Sequence, residues 1–204
     1  MVAVRIYVEG GGDKAGLRRA CRIGFAQLFE KIVPAGHQPL VKACGRRQAA
    51  FDDFCTALVA HPDSLCVLLV DSEGPVAVGT TAWSHLKTRD KWKRPSGVKN
   101  QQAQMMVQCM EAWFLADKEA LKKFYDKGFL LKALPGRANI EEISKDDLFR
   151  ILEHATRKTT KGAYSKGDHS FQILAKLSPE LIENASRHAK TLFDFLRENA
   201  ADSA

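Results

Sequence analysis

Glu9, Asp71 and Glu73 are the residues of this 204-residue chain whose types and spacing best suit a reactive set. Each stands just past an apolar run. Glu9 follows Val2–Val8 and precedes Gly10-Gly11-Gly12; Asp71 and Glu73 follow Ser64–Val70 and precede Gly74-Pro75. The two-residue spacing of Asp71 and Glu73 puts both side chains on one side of an extended segment. Carboxylate oxygens of this kind suit Mg²⁺ or Mn²⁺. Three of them crowded together repel unless a divalent ion neutralises them. Such an ion would polarise a phosphodiester and acidify its bound water, while a carboxylate not fully engaged with it moves a proton. Gly, Asp and Pro are also turn residues, so each cluster by itself equally reads as an acidic turn.

The elements that must bring these acids together are legible around them. Val2–Val8 and Ser64–Val70 read as buried strands, the second covered on both faces. Leu17, Cys21, Phe25, Leu28 and Ile32 recur at helical steps after Asp13, a candidate cap, and the helix stops at Pro34. Pro39–Ala43 makes a second strand. A second helix runs from Arg47 to Ala60 with Phe51, Phe54, Cys55, Leu58 and Val59 on one face. Strand, helix, strand, helix, strand implies parallel pairing with right-handed crossovers. In such sheets ligands bind beyond the strands' carboxyl ends, where strand order switches, so neighbouring first and third strands would make the three acids converge.

Later in the chain, Val76–Thr81 reads as loop. Met106, Cys109, Met110, Trp113 and Phe114 form a third helical stripe, with Glu111 on the other side of the wheel beside Gln104 and Gln108, a face open to solvent or to an ion. Asp117 is a further acidic candidate. Leu130–Gly136 reads as a turn region. Ser144-x-x-Asp147 opens a helix carrying Leu148, Ile151, Leu152 and Ala155, and Ser178-Pro179-Glu180 opens one that continues to Glu198, with the tail beyond expected to fray.

The formal net charge is +7. His85–Lys99 carries Lys87, Arg89, Lys91, Lys93, Arg94 and Lys99 against Asp90 alone, and Thr156–Gly167 carries Arg157, Lys158, Lys161 and Lys166 with no acid. Two basic loops on a near-neutral body suit a polyanion such as nucleic acid, or are simply solvated. Trp83, Trp92 and Tyr164 could stack on bases there. Lys161, Lys166 and His169 could clamp a phosphate. The glycine run fits neither GxGxxG nor GxxxxGK[ST], which leaves little for nucleotide binding beyond backbone N–H groups. Five scattered cysteines lack zinc spacing and read as reduced thiols. The start, Met1-Val2-Ala3-Val4-Arg5, lacks the order of a signal peptide and no apolar run is long enough for a membrane span, so the reading is cytoplasmic, with no membrane partner.

Tyr7-Val8-Glu9-Gly10, then helix, strand, helix and Leu69-Val70-Asp71-Ser72-Glu73, resembles the Toprim (topoisomerase–primase) fold, marked by a Glu after the first strand and a D-x-D pair after the third. Met110-Glu111-Ala112-Trp113-Phe114-Leu115-Ala116-Asp117 with the late Tyr164-Ser165-Lys166 is similar to bacterial Toprim-like proteins that accompany ATPase genes and are related to the overcoming-lysogenization-defect nucleases. The resemblance implies an α/β fold: a Toprim-like, mostly parallel sheet flanked by helices over residues 1–100, and a helical C-terminal extension over 101–204 packed on it as one compact unit. It implies Glu9 as general acid/base and Asp71 with Glu73 as the holders of Mg²⁺ (or Mn²⁺). Glu111 joins the metal candidates, and Lys166 joins Glu9 as a catalytic candidate. The chain has D-x-E where the family has D-x-D, and the longer Glu arm shifts the metal.

The expected activity is Mg²⁺-dependent cleavage of DNA or RNA, as the effector of an anti-phage defence system working with an ATPase partner; self-association into a homo-oligomer stays open. Two alternatives stand beside it. One is a non-catalytic Toprim-like subunit that binds nucleic acid or a partner protein, and the other is an enzyme acting on small phosphorylated molecules.

Overall fold

The apolar runs become the strands of one sheet. A computed structural model describes residues 3–136 and 138–201; Val2, at the start of the first expected strand, and the tail 202–204 lie outside the described residues. The strands are β1 (Ala3–Gly11), β2 (Leu40–Gly45), β3 (Ser64–Asp71) and β4 (Ala103–Met106), in the order β2-β1-β3-β4 and parallel throughout. The helices are α1 (Ala15–Phe29), α2 (Arg47–Ala60), α3 (Ala82–Asp90), α4 (Lys118–Tyr125), α5 (Lys145–Thr156), α6 (Ser170–Leu174), α7 (Pro179–Ala185) and α8 (Arg187–Ala201), with a 3₁₀ segment at Met110–Ala116. This is an α/β fold with helices at its C-terminal end. Among the described residues no helix is long and apolar enough to cross a membrane, and all five cysteines are unpaired.

Alternation along the strands builds a core on each face. Ile6, Val8, Val67 and Leu69 pack with Cys21, Phe25 and Leu28 of α1 and with Trp113, Phe114 and Phe193 from the C-terminal half. Tyr7, Cys66, Leu68 and Val70 pack with Ala50, Phe54 and Ala57 of α2 and with Trp83, Leu86 and Trp92. Each fully buried aliphatic side chain contributes roughly 1.5–3 kcal/mol. The unbroken apolar run at 64–70 is therefore the mark of a strand buried on both faces.

Several expectations are corrected. Asp13 does not cap α1, whose N-cap is Lys14; its carboxylate instead receives Arg46 Nε at 3.0 Å. On α2, Phe54 is buried and Phe51, Cys55 and Leu58 pack half-buried against the same core as expected, but Ala50 and Ala57 share the buried face and Val59 is 83% exposed. The stripe read as a third helix begins as β4, paired Leu68↔Ala103 through Asp71↔Met106. The sheet thus draws its fourth strand from beyond residue 100, and pairing with β3 overrides local helical spacing. A helix, α3, forms inside the basic segment, where Thr81 Oγ1 accepts the Ser84 N–H at 3.2 Å as its cap. The helix expected to run from 179 to 198 breaks at Ser186. That residue is extended, donates its hydroxyl to Glu141 Oε1 at 2.6 Å and caps α8 at Ala189 N. The Ser144 cap on Asp147 N is present, at 3.1 Å.

Candidate functional site

β1 sends the chain out to β2 on one side of the sheet and is flanked by β3 on the other, so the order switches between β1 and β3. A cavity of about 350 Å³ opens at their carboxyl ends, lined by Glu9, Asp71, Glu73, Glu111, Lys166 and the glycine turn Gly10–Gly12. Every residue expected to be catalytic or metal-binding therefore reaches one cavity. The local backbone explains how. β1 does not stop at Val8; it continues through Gly11, with Glu9, Gly10 and Gly11 all registered on Gly45 in an irregular bulge. Gly11 takes φ +84°, and a Cβ there would stand 2.6 Å from the Arg18 Cα, so the chain turns tightly under α1.

Glu9 is held by the start of α2. Its Oε2 accepts Arg47 Nη1 at 3.0 Å and the Asp71 N–H at 3.3 Å. Arg47 also grips Asp90 with two bonds of 2.8 Å and lies 5.2 Å over the Trp92 ring. Burial raises the Glu9 pKa, with Arg47 acting against the rise.

Asp71, 7% exposed, accepts the Met110 N–H on Oδ1 at 2.8 Å. Burial, then the charges of Glu111 and Glu9, push its carboxyl up to about 8. Glu73 departs from the extended geometry read from its spacing. β3 ends at Asp71, and Glu73 takes φ +62°, donating its N–H to Gln108 O at 2.9 Å. Its carboxylate meets Lys145 Nζ at 2.7 Å; burial opposes ionisation, but Lys145 holds its pKa below the ordinary value.

Glu111 is the largest departure. It is fully buried, with Gln104 and Gln108 buried beside it, so the wheel face read as open to solvent is interior. Oε1 receives Tyr164 OH at 3.2 Å and Lys166 Nζ at 3.3 Å, while Oε2 is buried with no hydrogen-bond partner. Burial disfavours the Lys166 charge, but Glu111 and Asp71 together raise its pKa.

Among the described residues no three His, Cys, Asp or Glu side chains are gathered as a ready-made ligand set. The donors that are present fit a hard cation all the same. Asp71 and Glu111 are two buried carboxylates repelling each other, one of them with an orphaned oxygen. An all-oxygen set with few protein ligands and room for water matches Mg²⁺ or Mn²⁺.

Other candidates fall elsewhere. Asp117 caps α4 through Ala120 N and takes Ser178 N, each at 2.9 Å. His169 Nδ1 sits between Tyr125 OH at 3.0 Å and Ser165 N at 3.1 Å, among rings. Lys161 lies 5.1 Å over Phe124. Lys87 and Arg89 ride on α3; Lys91, Lys93, Arg94 and Lys99 are exposed between α3 and β4; Arg157 and Lys158 are exposed after α5; none of these lines the cavity. Trp83 and Trp92 are buried against α2, Trp92 stacked 4.5 Å from Phe51, and so are not free to stack on bases. Tyr164 is half-buried on Glu111 and Phe149. Arg47 and Lys145 were missed by sequence reading. Arg47 was findable, since it stands two residues past the carboxyl end of β2; for Lys145 no local signal exists.

Comparison with known proteins finds no curated protein and no solved structure that matches the chain. One family model does match, over residues 8–197, nearly the whole of the fold and all of the cavity's acids: the chain belongs to the family described as a domain of unknown function, DUF4276.

Proposed function

We propose that the protein is a Mg²⁺- or Mn²⁺-dependent hydrolase of phosphodiester bonds in DNA or RNA, built on a Toprim-like sheet. The observation that carries this is the orphaned, fully buried Glu111 Oε2 beside a second buried carboxylate, Asp71, on a cavity at the sheet's switch point. Buried carboxylates persist when a positive group compensates them. Lys166, with 58% of its side chain exposed, and Lys145, already paired with Glu73, compensate weakly.

Asp71 and Glu111 would hold the ion, with Glu73 able to join once released from Lys145. When bound, the ion supplies polarisation of the scissile phosphate and an acidified water. Glu9, its pKa raised by burial, holds or accepts a proton at the cavity wall, and Arg47 fixes its orientation. Lys166 presents its ammonium to the cavity, where it can meet a non-bridging phosphate oxygen. Gly10 and Gly11 let the turn pack against Cys21 and Arg18 at the cavity wall, where a Cβ would clash. An ATPase partner and a role in anti-phage defence follow from the Toprim-like resemblance.

The test is cleavage of mixed nucleic acids by purified protein. Cleavage should require Mg²⁺ or Mn²⁺, cease in chelator, and be lost in Asp71→Ala and Glu73→Ala variants that still fold. Activity retained in the double variant refutes the assignment. The second reading, a non-catalytic binding subunit, is favoured by the pairing of Glu9 with Arg47, Glu73 with Lys145 and Glu111 with Lys166, each acid already facing a cation of the chain. Nucleic-acid binding that survives chelator, with no cleavage under any divalent ion, would select it.

A further inference from the structure

Leu17 of α1 and Gly45 of β2 wall the carboxylate cavity beside the glycine turn. One step along, the same two elements form a second groove of about 310 Å³, lined by Ala15, Arg18, Arg19, Arg22, Val41, Lys42 and Ala43. The glycine turn lines the first space and Arg18 lines the second, and the two are joined where Arg18 donates to Gly12 O at 3.2 Å and Asp13 O at 3.1 Å. The stretch Lys14–Arg22 carries Lys14, Arg18, Arg19 and Arg22 with no acid, a basic cluster outside the two basic loops.

Among the described residues no acid lines the groove, and Asp13 and Asp53 are engaged, by Arg46 at 3.0 Å and by Lys42 at 3.0 Å. Arg19 and Arg22 are exposed, and among the described residues neither has an ion pair. Arg18 and Arg22 are one turn apart, about 6 Å along the helix, stacked on one face. A row of unpaired guanidinium groups leading to a cavity of carboxylates suits a polyanion whose reacting bond is further along the same chain.

We infer that this groove holds the phosphodiester backbone of the nucleic-acid strand whose neighbouring bond lies in the carboxylate cavity. The inference rests on the function proposed above and names the strand's path, along α1 and β2. Arg19, Arg22 and Lys42 are the phosphate contacts; Arg18 supports the glycine turn as well.

The experiment measures binding, in chelator, of fluorescein-labelled single-stranded DNA, single-stranded RNA and duplex DNA across a salt series. An Arg19→Gln/Arg22→Gln/Lys42→Gln variant is compared with a control losing Lys122, Arg150 and Lys190, cations on α4, α5 and α8. The groove variant should raise the Kd about tenfold on at least one probe. It should also flatten the slope of log K against log salt by about 2, since a single strand yields about 0.7 per lost contact. The probe affected identifies the strand type. Three results overturn the inference: a change under about threefold on every probe, an equal loss in the control, or a loss with unchanged salt slope. Absence of binding by the unsubstituted protein overturns it too. Binding through the groove with no cleavage under Mn²⁺ supports it and removes the nuclease reading instead.

Discussion

Asp71 offers the sharpest test, because its environment converts directly into a pH dependence of stability. Burial, with the charges of Glu111 and Glu9, moves its carboxyl from 3.8 to about 8. Between those values the folded protein keeps a proton that the unfolded chain has released. Folding then binds protons, so stability falls as pH rises through that window and levels off above the folded value. From pH 6 to pH 9 the loss is of order 3 kcal/mol for this one group, which in a chain of this size lowers Tm by about 6–12 °C. Asp71→Asn keeps an oxygen to accept the Met110 N–H, bound at 2.8 Å by Oδ1, and removes the titrating proton. In EDTA, the melting temperature of the variant minus that of the wild type should therefore widen by that amount between the two pH values. Excess Mn²⁺ should recover the wild type at pH 9 by more than it raises the variant, because the wild type offers the ion one more carboxylate charge beside Glu111. Scanning calorimetry of both proteins reads this. Curves that stay parallel across pH to within about 2 °C would refute the crowding of Asp71 with Glu111.

Arg47→Ala removes a side chain only 14% exposed that holds both Glu9 and Asp90, so it should lower stability by about 3 kcal/mol in urea unfolding. A loss below about 1 kcal/mol would show the network to be incidental. Lys145→Gln frees Glu73 and removes a competing cation 2.7 Å from it. Mn²⁺ binding followed by electron paramagnetic resonance should tighten severalfold, and weaker binding would count against Glu73 as a ligand. Gly45 and Gly36 have similar φ, +82° and +88°, but only at Gly45 would a Cβ meet backbone, Gly12 O at 2.5 Å. Gly36→Ala should cost about 1 kcal/mol from its φ alone, and Gly45→Ala at least about 2 kcal/mol more; equal losses in thermal melts would contradict the close approach.

What the sequence made legible follows from the strength of each local signal. β3 and the span of α2 were readable because an apolar run and a helical period each point one way. The face of α2 was not. Phe54 is core as read, and Phe51, Cys55 and Leu58 pack half-buried against it, but Ala50 and Ala57 also turn inward and Val59 turns to solvent, which the apolar spacing does not distinguish. β4 was hidden because four residues set no period, and Met106, Cys109, Met110 and Trp113 fall at helical steps by coincidence. Only the pairing with β3, formed by residues more than thirty positions earlier, decides the matter. Trp83 and Trp92 were readable as aromatics in a basic stretch but not as core, since the helix that carries Trp83 inward has no strong period of its own. The acids at the strand ends were the easiest part of the site, because parallel strands bring their carboxyl ends together once β1 and β3 are neighbours.

Glu111 shows why the hardest residue to place is also the most informative. Its neighbours Met110, Ala112, Trp113, Phe114 and Leu115 are all buried, and nothing in that packing calls for a carboxylate. A leucine or glutamine would fill the same space without a charge in the interior and without repelling Asp71. Local rules and the fold therefore disagree at this position, and in natural proteins such disagreement concentrates where function demands it. Tyr164 and Lys166 engage one oxygen and leave the other aimed with no partner, beside a second carboxylate already pushed toward its protonated form. A structural role would be complete with two satisfied oxygens. The arrangement makes physical sense when a cation enters, because the same ion would relieve the orphaned oxygen and the crowded pair together.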